Sequence, residues 1–282
     1  MNRTKIEYVD FTWNPVTGCL HGCPYCFARR IAERFRDRSP EAIKRGKEYA
    51  YADIHLLTQL GKHPFPQGFM LTMYPNRLDE PLSRRKPSRI FVCDMGDLFG
   101  EWVPADWVED VLLTIWARPQ HTFLLLTKNP SRYAEFDLPP NAWAGTSVEN
   151  QAAAEKRIPE LLKAKVSVRW LSVEPLLGPV DLTDYLPCQH CGGSGLEPEG
   201  GPYWHPEYTC RECDGPPYDA VNWVVVGAQT GPGAVIPRLE WLTSIVGQCE
   251  DAGVPLFVKG KIASVVSETP LRQYPKEDTP NE

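Results

Sequence analysis

The chain has 282 residues, of which 42% are hydrophobic and nine are tryptophan, enough for one large α/β barrel or two modest domains with a sizeable core. Its net charge of −6 argues against a protein that coats nucleic acid non-specifically, although residues 29–47 are rich in arginine and lysine, as a local basic groove or as a solvated helix face with interspersed acids. With no apolar run of about 18 residues and no signal-like N-terminus, neither a membrane span nor export is expected, and the nine cysteines read as metal ligands and free thiols of a reducing cytoplasm.

In chain order, a short extended segment at 12–16 leads into Gly18-Cys19-Leu20-His21-Gly22-Cys23-Pro24-Tyr25-Cys26, followed by a predicted helix over 26–35. Three thiolates spaced C-x3-C-x2-C on one loop can bind three irons of a cubane [4Fe–4S] cluster and leave the fourth iron open to a small molecule. A zinc site or three structural cysteines are the alternatives, but structural zinc normally takes four ligands. The spacing, with aromatic Tyr25 before Cys26, resembles the signature of the radical S-adenosylmethionine (SAM) superfamily. That resemblance implies that SAM chelates the open iron through its amino and carboxylate groups. It also implies that an electron from the cluster cleaves SAM to a 5′-deoxyadenosyl radical, and that Tyr25 packs beside the adenine.

Further along, apolar runs at 69–73, 90–93, 122–127, 142–146, 168–173, 222–226 and 256–259 predict strands. Helical patterns at 76–84, 105–116, 151–164 and 239–252 alternate with them, with Pro104 or Asp106 and Asn150 as N-terminal signals. The alternation predicts a parallel sheet. Counting 12–16, eight strands are expected, which suggests a complete or nearly complete (β/α) TIM-type barrel over 1–262 with its chemistry at the strand C-terminal ends.

Those ends carry Asp94, Asp97, Lys128, Ser147, Glu149, Glu174 and Gln229. The Ser-Val-Glu wording recurs at 147–149 and 172–174, which predicts that Glu149 and Glu174 stand at equal height. Alternatively, each carboxylate pairs with Lys128 or Lys259 and only stiffens the barrel top, and polar βα loops also arise simply because they face water.

Between the sixth and seventh of these eight strands, Cys188-x2-Cys191 and Cys210-x2-Cys213 form two knuckles separated by eighteen residues, the spacing of a four-cysteine zinc site. The stretch between them is rich in Gly, Pro and Glu and cannot build a core without a metal. A zinc-ribbon-like insertion at 187–216 is expected, with an auxiliary iron–sulfur cluster as the alternative. Cys93 and Cys249 read as core residues, and 263–282 as a flexible tail.

Several segments together resemble a phage- and prophage-associated family of radical-SAM-like proteins of unknown function. They are residues 13–19, Met95-Gly96-Asp97-Leu98-Phe99, residues 125–128, Gly145-Thr146-Ser147-Val148-Glu149, residues 171–179, 227–233 and 252–259. Where that family usually has Gly-Gly-Glu-Ser-Gly, this chain reads Gly227-Ala228-Gln229-Thr230-Gly231, and the Gly-Gly-Glu of many radical SAM enzymes is missing from 74–77. The knuckle pair also looks like an insertion that many relatives lack.

The expected activity is hydrogen abstraction by a radical SAM enzyme. Cys19, Cys23, Cys26, Tyr25, Asp94, Ser147 and Gln229 would bind cofactors, and Asp97, Lys128, Glu149 and Glu174 would act on substrate. The phage association suggests a modified or damaged nucleobase as substrate, and the chemistry requires a reductant such as flavodoxin or ferredoxin. One alternative is a non-catalytic accessory or nucleic-acid-binding module stabilised by two metal sites. Another is a metal-dependent hydrolase on Asp94, Asp97, Glu149 and Glu174, which the six scattered histidines disfavour.

Overall fold

A computed structural model describes residues 1–36, 38, 65, 68–192, 194, 196, 210, 219–231, 233–260, 262–263 and 271–275. The chain divides into two units, Met1–Trp143 with Thr230–Ala234, and Ala144–Gln229 with Val235–Glu282.

The first unit contains, in chain order, β1 (Asn2–Arg3), β2 (Phe11–Trp13), β3 (Val16–Thr17), α1 (Phe27–Arg34), β4 (Thr72–Met73), β5 (Arg89–Val92), α2 (Ala105–Trp116) and β6 (Thr122–Thr127). Strands β2, β5 and β6 are parallel neighbours, and β1 adds antiparallel to β2. Trp13 and Phe123 are fully buried and meet edge to face, 5.9 Å apart.

The second unit is built from β7 (Ala142–Ser147, whose first two residues fall in the first unit), α3 (Gln151–Leu161), β8 (Arg169–Val173), β9 (Trp223–Val226), α4 (Leu239–Asp251) and β10 (Leu256–Val258). Strands β7, β8, β9 and β10 pair in that order and all in parallel. Every residue of these four strands is buried, the pattern of parallel strands covered on both faces. Asn150 starts α3 as expected, its Oδ1 accepting the Ala153 amide at 3.0 Å. Mixed α/β structure with mostly parallel strands therefore stands.

Two expected elements differ. The helix at 76–84 is instead two 3₁₀ turns, Pro75–Arg77 and Glu80–Ser83. Pro81 lacks an amide hydrogen and its ring would strike the carbonyl four residues back, so each turn closes locally with i→i+3 bonds such as Leu78 N to Pro75 O. The extended segment 12–16 splits at Pro15, and only its first part joins the parallel strands. The remainder, β3, pairs antiparallel with β4, matching Val16 to Met73 and Thr17 to Thr72. The strand expected over 69–73 is thus a two-residue partner at the root of the cysteine loop and not one of the parallel set.

Candidate functional site

Strand β3 hands the chain to the cysteine loop through Gly18, whose φ of +91° and close approach to the Met70 carbonyl (2.4 Å from a Cβ placed there) admit only glycine. The Gly18 amide donates to Met95 O at 2.9 Å, and Gly18 bridges to Gly96, so the turn after β5 carries the loop's first residue. At the far end Cys26 is the N-cap of α1, its Sγ accepting from the Arg29 amide at 3.3 Å. Ala28 and Ala32 of α1 pack with Phe69 and Met95, and Cys19 and Cys26 lie against that cluster. All three loop cysteines are half-buried.

Burial pushes the Cys19 thiol up to about 12, the His21 amide opposing the shift while Asp97, Cys23 and Cys26 add to it. Arg29 lies beside the loop, donating to Cys19 O at 3.3 Å and stacking 5.3 Å from the Phe69 ring centroid. The Arg29 guanidinium and the N-terminus of α1 lie at the two ends of the loop, beside Cys19 and Cys26.

Around this loop the first unit collects three of the expected site residues. Asp97, 5% exposed, accepts from the Lys128 amide at 3.0 Å and lies 2.7 Å from His21 Nε2. Lys128 Nζ in turn donates to Tyr25 Oη at 3.2 Å. Asp94 accepts from Asn14 Nδ2 at 2.5 Å, and burial raises its carboxyl above the usual value against that hydrogen bond. Asn14 also takes the Met95 amide at 3.0 Å. The sequence reading missed His21 and Asn14 as site residues; a polar side chain centred between two cysteines was the available signal for His21. Cys93 and Cys249 are buried, as their assignment to the core requires.

In the second unit Ser147 pairs with Ser172 in the register of β7 and β8, giving the two Ser-Val-Glu segments the equal height expected. Their glutamates then diverge. Glu149, 8% exposed, binds Arg157 of α3 at 2.7 Å, and Arg157 also donates to Ser147 O at 2.7 Å. Glu174 binds Lys259, just beyond β10. The pairing alternative thus holds for Glu174 with Lys259, and Glu149 pairs with Arg157 of the following helix. Gln229 Oε1 accepts the Val235 amide at 3.3 Å.

The second cysteine cluster is drawn together. Sulfurs of Cys188, Cys191 and Cys210 all lie within 4.8 Å of one another, with Cys188 Sγ to Cys210 Sγ at 3.9 Å. Tetrahedral zinc with bonds of about 2.3 Å spaces its sulfurs about 3.8 Å apart. The first knuckle closes with the Gly192 amide donating to Cys188 O at 2.7 Å. These three residues can hold a metal ion; Cys213 and the stretch 197–209 lie outside the described residues.

Among the described residues no helix is long and apolar enough to cross a membrane. No curated protein and no solved structure matches the chain. The family model described as "Protein of unknown function (DUF5131)" matches residues 3–269, nearly the whole sequence including both cysteine clusters and every strand-end residue discussed above. By that match the chain belongs to the DUF5131 family.

Proposed function

We propose that this protein is a radical SAM enzyme on a TIM-type (β/α) barrel, with Cys19, Cys23 and Cys26 as ligands of a [4Fe–4S] cluster whose open iron takes SAM. The observation that carries the reading is the placement of three half-buried cysteines on one short loop, pinned at Gly18 by the turn after β5 and at Cys26 by the start of α1. Soft thiolate donors of this kind suit an iron–sulfur cluster. When bound, the cluster and SAM supply one-electron cleavage of SAM and a carbon-centred radical that abstracts hydrogen from substrate.

The chain's own residues have separable tasks in this reading. Cys19 keeps its proton at neutral pH until a metal displaces it, because burial disfavours the free thiolate. Arg29 and the first turn of α1 offset the negative charge of the thiolates. Lys128 orients the Tyr25 ring, the proposed neighbour of the adenine. Asp94, Ser147 and Gln229 are the proposed SAM contacts. The cations bound to Glu149 and Glu174 favour roles for both in holding strand ends.

A Zn²⁺ on Cys188, Cys191 and Cys210, with Cys213 as fourth thiolate, completes the proposed metal content. A nucleobase substrate, a flavodoxin- or ferredoxin-type reductant and a cytoplasmic location belong to the same proposal.

The test is anaerobic reconstitution with iron and sulfide, then incubation with SAM and dithionite. We expect about four irons per chain, retained when Cys188 and Cys210 are changed to serine and lost in Cys19→Ala, Cys23→Ala and Cys26→Ala, together with release of 5′-deoxyadenosine. Protein that takes up no iron under these conditions would instead be read as the metal-stabilised accessory module.

A further inference from the structure

We infer that Asp97 is a positioning residue: a buried latch that holds the cysteine loop by two of its polar side chains, His21 directly and Tyr25 through Lys128. This rests on the cluster reading above only for its consequence; the latch itself is a property of the protein without metal.

The carboxylate meets three partners from the chain. Oδ1 accepts the Phe99 amide at 3.1 Å. Oδ2 accepts the Lys128 amide at 3.0 Å and meets His21 Nε2 at 2.7 Å. With two amide donors and the His21 ring on a side chain buried from solvent, little acceptor capacity is left for a substrate. This is the environment of a structural anchor and not of a general base, which needs an oxygen open to the reacting group.

What the anchor holds is specific. His21 lies two residues from both Cys19 and Cys23, and its ring meets Trp102 edge-on at 4.7 Å, so hydrogen bond and packing together fix its orientation. Lys128, gripped by its amide, reaches with Nζ to Tyr25, the residue before Cys26. The turn bearing Asp97 also takes the Gly18 amide on Met95 O. A single turn after β5 thereby restrains the loop at its beginning and middle, and through the end of β6 near its last cysteine. Preordering three thiols spares a bound group the entropy of ordering them, and we take the roughly 10–100-fold scale of outer-shell contacts on metal ligands as the size of effect expected when the loop that bears the ligands loosens.

The experiment uses the full chain in two states. In the metal-free protein, amide hydrogen exchange over residues 18–26 should speed up at least tenfold in both Asp97→Ala and His21→Phe, the latter keeping a ring against Trp102. The double variant should exchange no faster than the single ones. In reconstituted protein both variants should lose iron to a chelator roughly 10–100-fold faster. They should also shift the electron paramagnetic resonance signal of the reduced centre, with Asp97→Asn recovering part of both effects. Wild-type exchange in His21→Phe would overturn the latch, as would Asp97→Ala losing SAM turnover while loop exchange and the resonance signal stay unchanged. If wild-type protein binds no iron, the cluster reading fails and the exchange measurement still decides the latch. Should Asp97→Ala not fold, His21→Phe and Asp97→Asn carry the test.

Discussion

Lys259 Nζ lies 2.7 and 2.8 Å from the two carboxylate oxygens of Glu174, a forked ion pair that spans β9 from the end of β8 to the end of β10. Gly227, at the end of β9, is what lets the pair close. A Cβ there would lie 2.8 Å from the Glu174 carboxyl carbon.

The first prediction follows from that geometry. Glu174→Gln and Lys259→Met should each lower stability by about 1–3 kcal/mol, the scale of a charge-assisted hydrogen bond that is partly exposed. The double variant should cost little more than one single change, and Gly227→Ala should reproduce much of the loss by displacing Glu174. Urea unfolding of the four variants gives the coupling directly. Strictly additive single effects would remove the pair from any role in holding the strand ends.

A second prediction separates buried from exposed charge. Arg157→Leu breaks the 2.7 Å ion pair of Glu149, which is nearly fully buried, and should cost about 3 kcal/mol. Lys163→Met breaks an equally short contact with Glu160 at the surface and should change stability by less than about 0.5 kcal/mol. Thermal unfolding of both variants under one buffer tests the contrast; similar costs would mean that Glu149 is satisfied by other groups.

Metal removal is the third. Protein purified without chelator should carry about one zinc per chain that disappears in the Cys188→Ser, Cys210→Ser double variant. Because thiols must lose protons to bind, retention of the ion should weaken as pH falls from 7 toward about 5. Elemental analysis across a pH series reads both effects, and zinc unchanged in the double variant would place the ion elsewhere.

The fourth concerns alkaline stability. Burial pushes the thiols of Cys93 and Cys249 from 9.0 up to about 12, so the folded protein keeps protons that the unfolded chain releases first. A folded-state value above the unfolded one means stability is intact below pH 9 and declines as pH rises from 9 toward 12. Cys249→Ala should reduce that decline by about 1.4 kcal/mol per pH unit within the window, whatever it costs in packing. Parallel stability curves for wild type and variant above pH 9 would contradict the assignment.

Part of this protein was legible in one dimension. Strand β6 and helix α2 begin and end where their apolar periodicity does, and Asn150 starts α3 because its side chain serves a backbone amide three residues on. The C-x2-C spacing of Cys188 and Cys191 is equally local, since a turn of four residues brings two sulfurs to one side. Proline at 81 was the overlooked local signal against a helix at 76–84.

Tertiary structure alone decided the partners. His21 finds Asp97 across 76 positions and Glu174 finds Lys259 across 85, because strand order and register determine which ends become neighbours. Glu149 and Glu174 share the same local wording and the same height, yet one reaches an arginine of the next helix and the other a lysine two strands away. The sequence by itself determined most of the regular elements and the cysteine spacing of the first knuckle, since backbone period and ligand spacing act over a few residues. Which buried charge neutralises which was decided only by packing, because desolvation makes each carboxylate take whichever cation the folded chain brings within reach.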